Sequence, residues 1–166
     1  MEIRIRETGQ VMFDSEWRRY MKEKTDLNFG DLDAATLDRF GADVVFEGPQ
    51  ATGGTVYQYS MRQGVEQQSD GKWYTKYVLG PIFVNTAEAT AAEQEAAYKA
   101  MKDAEQAKSV RQTRDEKLKS TDWIVIKHLE RNENIPGVWE VYRQALRDVP
   151  AQAGFPWNVQ WPVQPE

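Results

Sequence analysis

The 166-residue chain predicts an α+β fold in three parts. A small β-rich unit with short helices covers 1–85, a long connecting helix covers 86–120, and a C-terminal helical module over 121–166 ends in an extended aromatic and proline-rich arm. Three breaks in composition predict this. Nine of the eleven glycines lie within 1–85, where turns between short strands need them. Residues 86–120 hold neither Gly nor Pro, and seven acids there balance seven bases, a composition that favours helix. Beyond residue 120 stand four of the six Trp and five of the seven Pro.

Within the first part, Ile3 and Ile5 alternate with charged neighbours, so 2–6 reads as a half-buried strand. Gly9 turns the chain into a second strand over 10–13, closing a hairpin. Asp14 or Ser15 then caps a short helix whose Trp17, Tyr20 and Met21 share one face. A second short helix is expected over 33–40, stopped by Gly41. Val44–Phe46 reads as a strand closed by Gly48-Pro49. Two longer alternating runs, 56–67 and 72–78, meet across Ser69-Asp70-Gly71, a strong hairpin signal, with Gly64 at a bulge.

In the second part Thr90 and Glu93 fit a capping box, with Thr86 as an earlier alternative. Glu95/Lys99, Lys99/Asp103 and Asp115/Lys119 stand at i,i+4. A helix of this span is about 50 Å long. Ala97, Met101, Ala104, Val110 or Arg111, and Leu118 form a thin stripe suited to close packing with another helix, a second copy of the chain included. A solvated connecting helix is the equal alternative.

In the third part Ser120-Thr121-Asp122 breaks the pattern and caps a short helix carrying Trp123, Ile126 or Lys127, and Leu129 or Glu130. Arg131–Ile135 is a polar loop. Pro136-Gly137 opens an amphipathic helix with Trp139, Tyr142, Leu146 and Val149 on one face, ended by Pro150. Phe155, Trp157, Val159 and Trp161 then alternate with Pro, Asn and Gln, the pattern of an extended or polyproline-like strand with these four side chains pointing one way.

The chemistry available is narrow. The net charge is −5, the pI about 5.1 and the mean hydropathy −0.72. No basic stripe offers a nucleic-acid footprint, no apolar run is long enough for a membrane span, and the N-terminus lacks a signal-peptide core. With no Cys, thiolate metal sites, disulfides and Cys nucleophiles are excluded, and a reducing compartment is expected. His128, the sole histidine, reads as structural or surface-lying. Asp31 and Asp33 lack the Gly and terminal Glu of a calcium loop. The stretch 48–55 imitates a phosphate-binding loop, but Gly54 stands where its Lys belongs, so it reads as a flexible turn. No catalytic, cofactor or metal residue is assigned. Paired carboxylates alone do not make a glycosidase site in so small a unit.

From residue 111 the sequence becomes specific. Arg111, Arg114-Asp115, Leu118 and Thr121-Asp122-Trp123 are followed by Trp139 and by Tyr142-Arg143-Gln144-Ala145-Leu146-Arg147-Asp148-Val149-Pro150. Gly154-Phe155-Pro156, Val159 and Trp161-Pro162 complete the series. Over 111–165 this resembles the tail and tail-fibre assembly chaperones of tailed bacteriophages. Ile3-Arg4, Glu7-Thr8-Gly9 and Lys72-Trp73-Tyr74 are similar to segments that accompany the module in phage proteins.

The resemblance implies a non-enzymatic phage protein without cofactor. Its partner would be a tail or tail-fibre polypeptide, which it helps to fold, trimerise or attach in the host cytoplasm, with retention in the virion tail an open option. A permanent adaptor of tail, baseplate or fibre, and a host-glycan module, are the alternatives. A homo-oligomer is an open option, a trimer if it follows a fibre, with no nucleic acid and no membrane expected as partner. The partner-binding candidates are Trp139, Tyr142, Arg143, Arg147, Phe155, Trp157 and Trp161, since Trp, Tyr and Arg dominate interface energetics. The competing reading puts Trp123 and Trp139 in the module's own core and divides Trp157 and Trp161 evenly between core and contact. Arg114/Asp115 and Arg143/Arg147/Asp148 are expected to cross-link the helices.

Overall fold

A computed structural model describes all 166 residues. They form two compact units, Met1–Ile82 and Phe83–Glu166. The fold is α+β, with the strands in the first unit and the long helix in the second.

In the first unit the period-two pattern of Ile3 and Ile5 forms β1 (Glu2–Ile5), paired antiparallel with β2 (Val11–Phe13) and, on its other side, with β3 (Ala42–Phe46). Ile3 lies opposite Met12 and Val44, and Ile5 opposite Ala42. β3 runs parallel to β5 (Trp73–Gly80), which pairs antiparallel with β4 (Tyr59–Gln67), giving the order β2-β1-β3-β5-β4.

The register of β4 and β5 shifts between Arg62 and Val65. Gly64, at φ +79°, supplies the left-handed backbone that this bulge requires. β4 begins at Tyr59 rather than at residue 56, because Thr55 and Gln58 close a turn through both backbone and side chain. At the hairpin, the Asp70 carboxylate accepts from Lys72 N–H and from the Tyr74 hydroxyl.

α1 (Asp14–Thr25) and α2 (Ala34–Arg39) supply Trp17, Met21 and Leu37 to a core with Ile3, Ile5, Met12 and Ala42. Phe29 sits edge-on to both Trp17 and Phe40, at 4.9 and 5.0 Å between ring centres. The start of α1 differs by one position from expectation. Phe13 is the cap, with its N–H donated to Glu16, and Asp14 is already helical. Asp33 caps α2 by accepting from Thr36. The phosphate-loop mimic at 48–55 is pinned, not loose: Ala51 N–H donates to Ser60 Oγ, and Tyr77 beside it holds Glu47 at 2.6 Å.

In the second unit the capping box of Thr90 and Glu93 starts α3 (Ala91–Lys119), 29 residues and about 43 Å long. Thr86 is not the cap; it closes a separate turn over Ala89. Glu95 and Lys99 pair at 2.6 Å as spaced, while Asp115 pairs with its neighbour Arg114.

The expected stripe holds in its second half only. Val110 is buried and Leu118 half-buried, whereas Ala97, Met101 and Ala104 are exposed, and the packed face is completed by buried Ala107 and half-buried Tyr98 and Arg114. On a helix with this many alanines, short apolar side chains do not define a face. The larger groups, Tyr98 against Phe83 and Val110, define it instead.

α4 (Asp122–Glu130) and α5 (Gly137–Asp148) follow, with a 3-10 turn over Val149–Ala151. Tyr142, Leu146 and Val149 are buried, as the spacing on α5 predicts. Trp123 corrects the expectation of a core residue: it is 58% exposed, and Ile124 is the buried side chain of α4.

The terminal arm is a second correction. Residues 153–157 form consecutive turns between bends at 152 and 158, where a strand was expected. Gly154 explains the turning, since its carbonyl accepts from Asn158 N–H at 2.7 Å and a Cβ there would fall 2.1 Å from the Asn158 carbonyl oxygen. The Gln152 side chain then closes the loop, donating to Gln160 O and accepting from Gln160 N–H, each at 2.8 Å.

Candidate partner-binding surface

The C-terminal unit is organised by the joint between its helices. Thr121, between α3 and α4, is fully buried, and its hydroxyl donates to the Leu118 carbonyl at 2.8 Å. Arg143 on α5 reaches this joint with both guanidinium nitrogens. Nη1 donates to Leu118 O and to the Thr121 hydroxyl, and Nη2 to the Asp122 carboxylate at 2.8 Å. At the end of α3 the Leu118 carbonyl accepts from Thr121 N–H at 3.1 Å as well as from its hydroxyl, and the planar fork of Arg143 adds a third bond there while tying α5 to the start of α4. The expected cross-linking by Arg143 is present. Arg114 instead pairs within its own helix, and Asp148 accepts from Gln144 along α5.

Tyr142 is 3% exposed, with the half-buried Trp139 ring edge-on at 6.0 Å. Both lie on the core side of α5. The arm lies along α3: Trp157 Nε1–H donates to Asp103 at 2.6 Å, Arg111 stands 5.2 Å from the Phe155 ring centre, and Lys117 stands 5.6 Å from that of Trp161. These aromatic rings are half-buried. Cations over the ring faces and the indole hydrogen bond hold the arm to the helix.

Arg147 has a different setting. It is exposed, its Nη1 lies 3.5 Å from Gln144 Oε1, and it lines a groove of about 510 Å³ with Val125, Ile135, Glu140, Val141, Arg143 and Gln144. Val141 is 71% exposed. Apolar Val125, Ile135 and Val141 beside the charges of Glu140, Arg143 and Arg147 suit a polypeptide side-chain cluster. Of the candidates named from sequence, Arg143 and Arg147 meet in this groove, while Tyr142, Trp139, Phe155, Trp157 and Trp161 lie in the packing of the unit. Sequence reasoning missed Val125, Ile135 and Val141. Val141 carries the one available signal, an apolar residue off the buried face of a strongly amphipathic helix.

His128 is partly buried, with Nδ1 3.4 Å from a Glu133 carboxylate oxygen. Nowhere do three His, Asp or Glu side chains converge to hold a metal ion, and no helix is long and apolar enough to cross a membrane.

Residues 107–166 match the family model described as phage tail assembly chaperone protein. The matched segment takes in the last part of α3, all of α4 and α5, and the arm, so the similarity is confined to the C-terminal third. No curated protein and no solved structure matches the chain.

Proposed function

We propose that this chain is an assembly chaperone that holds a tail or tail-fibre polypeptide of a tailed phage while it folds, trimerises or attaches. One observation carries the reading: the segment matched to that family, 107–166, coincides with the stapled helices that build the groove around Val141 and Arg147. The chemistry is binding, with no reaction step. The groove offers apolar surface to a client's apolar side chains, and Arg147 and Glu140 at its rim orient them by charge. Arg143, Tyr142 and Trp139 act behind the surface by fixing the helices, and Phe155, Trp157 and Trp161 by anchoring the arm.

The work takes place in the host cytoplasm during assembly. A direct test measures capture of the tail and tail-fibre polypeptides of the same genome by the native chain and by the Val141→Asp, Arg147→Glu double variant. Loss of capture with an unchanged melting temperature supports the groove as the client site; equal capture removes it.

A second reading, a lasting adaptor in the particle, is favoured by the first unit. Met1–Ile82 is a separate folded unit outside the matched segment, able to hold a second component while the C-terminal unit holds the client. Mass spectrometry of purified virions separates the readings, because an adaptor is present in stoichiometric amount and a transient chaperone is not.

A further inference from the structure

The free charges of α5 stand at its two ends. Glu140 lies in the first turn and Arg147 in the last, two turns or about 10 Å apart along the axis. Both line the groove that holds Val125, Ile135 and Val141, and both are exposed. Neither takes part in an ion pair, whereas Arg143, the third charge lining the groove, is paired with Asp122. Asp148, next along the chain, accepts from Gln144 Nε2 at 3.0 Å. One end of the groove therefore offers an unanswered negative charge and the other an unanswered positive one, with apolar side chains beside them.

Backbone chemistry decides the form of segment that fits. No strand lies beyond Gly80, so the C-terminal unit has no sheet edge on which an extended segment pairs its N–H and C=O groups. Each such group that loses water in the groove without a partner costs free energy. A helix pairs these groups internally and presents side chains alone. Its direction follows from the charges. Acids are favoured in the first turn of a helix and bases in the last. A helix antiparallel to α5 brings its first turn to Arg147 and its last turn to Glu140, so the charges that stabilise it are those that pair across the groove. A parallel helix sets its acidic first turn against Glu140 instead.

We infer that the groove takes an amphipathic helix of the client, antiparallel to α5. Its contact face carries Asp or Glu at i, apolar residues at i+3 and i+4 against Val125, Ile135 and Val141, and Lys or Arg at i+7. The inference rests on the client reading above and adds to it the conformation, direction and charge order of the bound segment.

The chain has no cysteine, so single sites on it can be labelled. Gly137, Val141 and Asp148 share one stripe of α5. A Cβ at Gly137 meets open space, and Asp148 is exposed. Gly137→Cys and Asp148→Cys in the full chain, each carrying a benzophenone maleimide, are irradiated with the captured tail or tail-fibre polypeptide of the same genome. Mass spectrometry then locates the cross-linked residues. The two sites lie about 16 Å apart along the axis. Client residues reached from position 137 are expected about eleven positions C-terminal to those reached from position 148. A separation of about five positions, the count for an extended segment, overturns the helix, and the reverse order overturns its direction. Cross-links between two copies of this chain overturn the choice of occupant. Capture without a cross-link from either site removes the groove as the client site, and absence of capture removes the client reading itself. Exchanging the two charges, Glu140→Lys with Arg147→Glu, keeps the net charge at −5 and lowers capture by at least about threefold. Unchanged capture by that variant, folded by far-UV circular dichroism, overturns the charge order; should it not fold, the cross-links decide alone.

Discussion

The guanidinium of Arg143 donates to the hydroxyl of the fully buried Thr121, and the same side chain ties Leu118 O and Asp122 to α5. Three acceptors from the α3–α4 joint are thus tied to α5 by one residue. Arg143→Ala is expected to destabilise the chain by about 1.5–3 kcal/mol, since it removes the charge-assisted hydrogen bonds that join α5 to this joint. Arg143→Lys recovers part of that loss, because an ammonium cannot reproduce the planar fork. Urea unfolding followed by far-UV circular dichroism measures both.

The Gln152 side chain pairs twice with the backbone of Gln160 and closes the loop that carries Phe155 and Trp157. Gln152→Ala removes both hydrogen bonds, at about 1–2 kcal/mol. Amide hydrogen exchange should show lost protection at Gln160 and Asn158, with the first unit unaffected.

At the start of α3, Thr90 and Glu93 cap each other's backbone. Thr90→Ala costs about 1 kcal/mol, and the loss appears as fraying of the first turn in exchange data around residues 91–94.

Three carboxylates are held below their ordinary range. Asp33 accepts from the Thr36 side chain and then its backbone, Asp70 from the Lys72 backbone and then the Tyr74 hydroxyl, and Glu93 from the Thr90 backbone and then its hydroxyl. A lowered folded-state pKa means that the unfolded chain binds the proton first. The stability from these caps and turns is complete above the unfolded values near 4 and is lost as pH falls through the depressed folded values. Thermal melts from pH 6 downward should therefore show a decline that starts near pH 4, shallower in Asp33→Asn and in Glu93→Gln.

Periodic elements with large apolar side chains were legible from sequence. Ile3/Ile5, Trp17/Met21 and Tyr142/Leu146/Val149 each bury the face their spacing marks. The β4–β5 hairpin and its Gly64 bulge were equally legible, because turn chemistry is local. The stripe on α3 was legible at Val110 and Leu118 but not before them, since Ala97 and Ala104 fit either side of a helix and burial there followed Tyr98. Trp123 misled because five of nine residues on α4 are apolar, and spacing cannot choose a face where nearly every face is apolar. The arm misled through its alternation, which the Gly154 turn and the Gln152 clamp override. In the candidate surface, sequence could name Arg147 as an exposed charge on α5 but not the groove it lines. The groove around it depends on Val125 and Ile135, brought in from other elements by the Arg143 joint.

Co-expression tests the central claim most directly. The tail-fibre polypeptide of the same genome is produced with the native chain, with the Val141→Asp, Arg147→Glu variant, and alone. The account predicts soluble, correctly assembled fibre with the native chain and at least about a tenfold lower yield in the other two, a loss of about 1.4 kcal/mol or more if the yield follows client binding. Equal yield of assembled fibre in all three would contradict it.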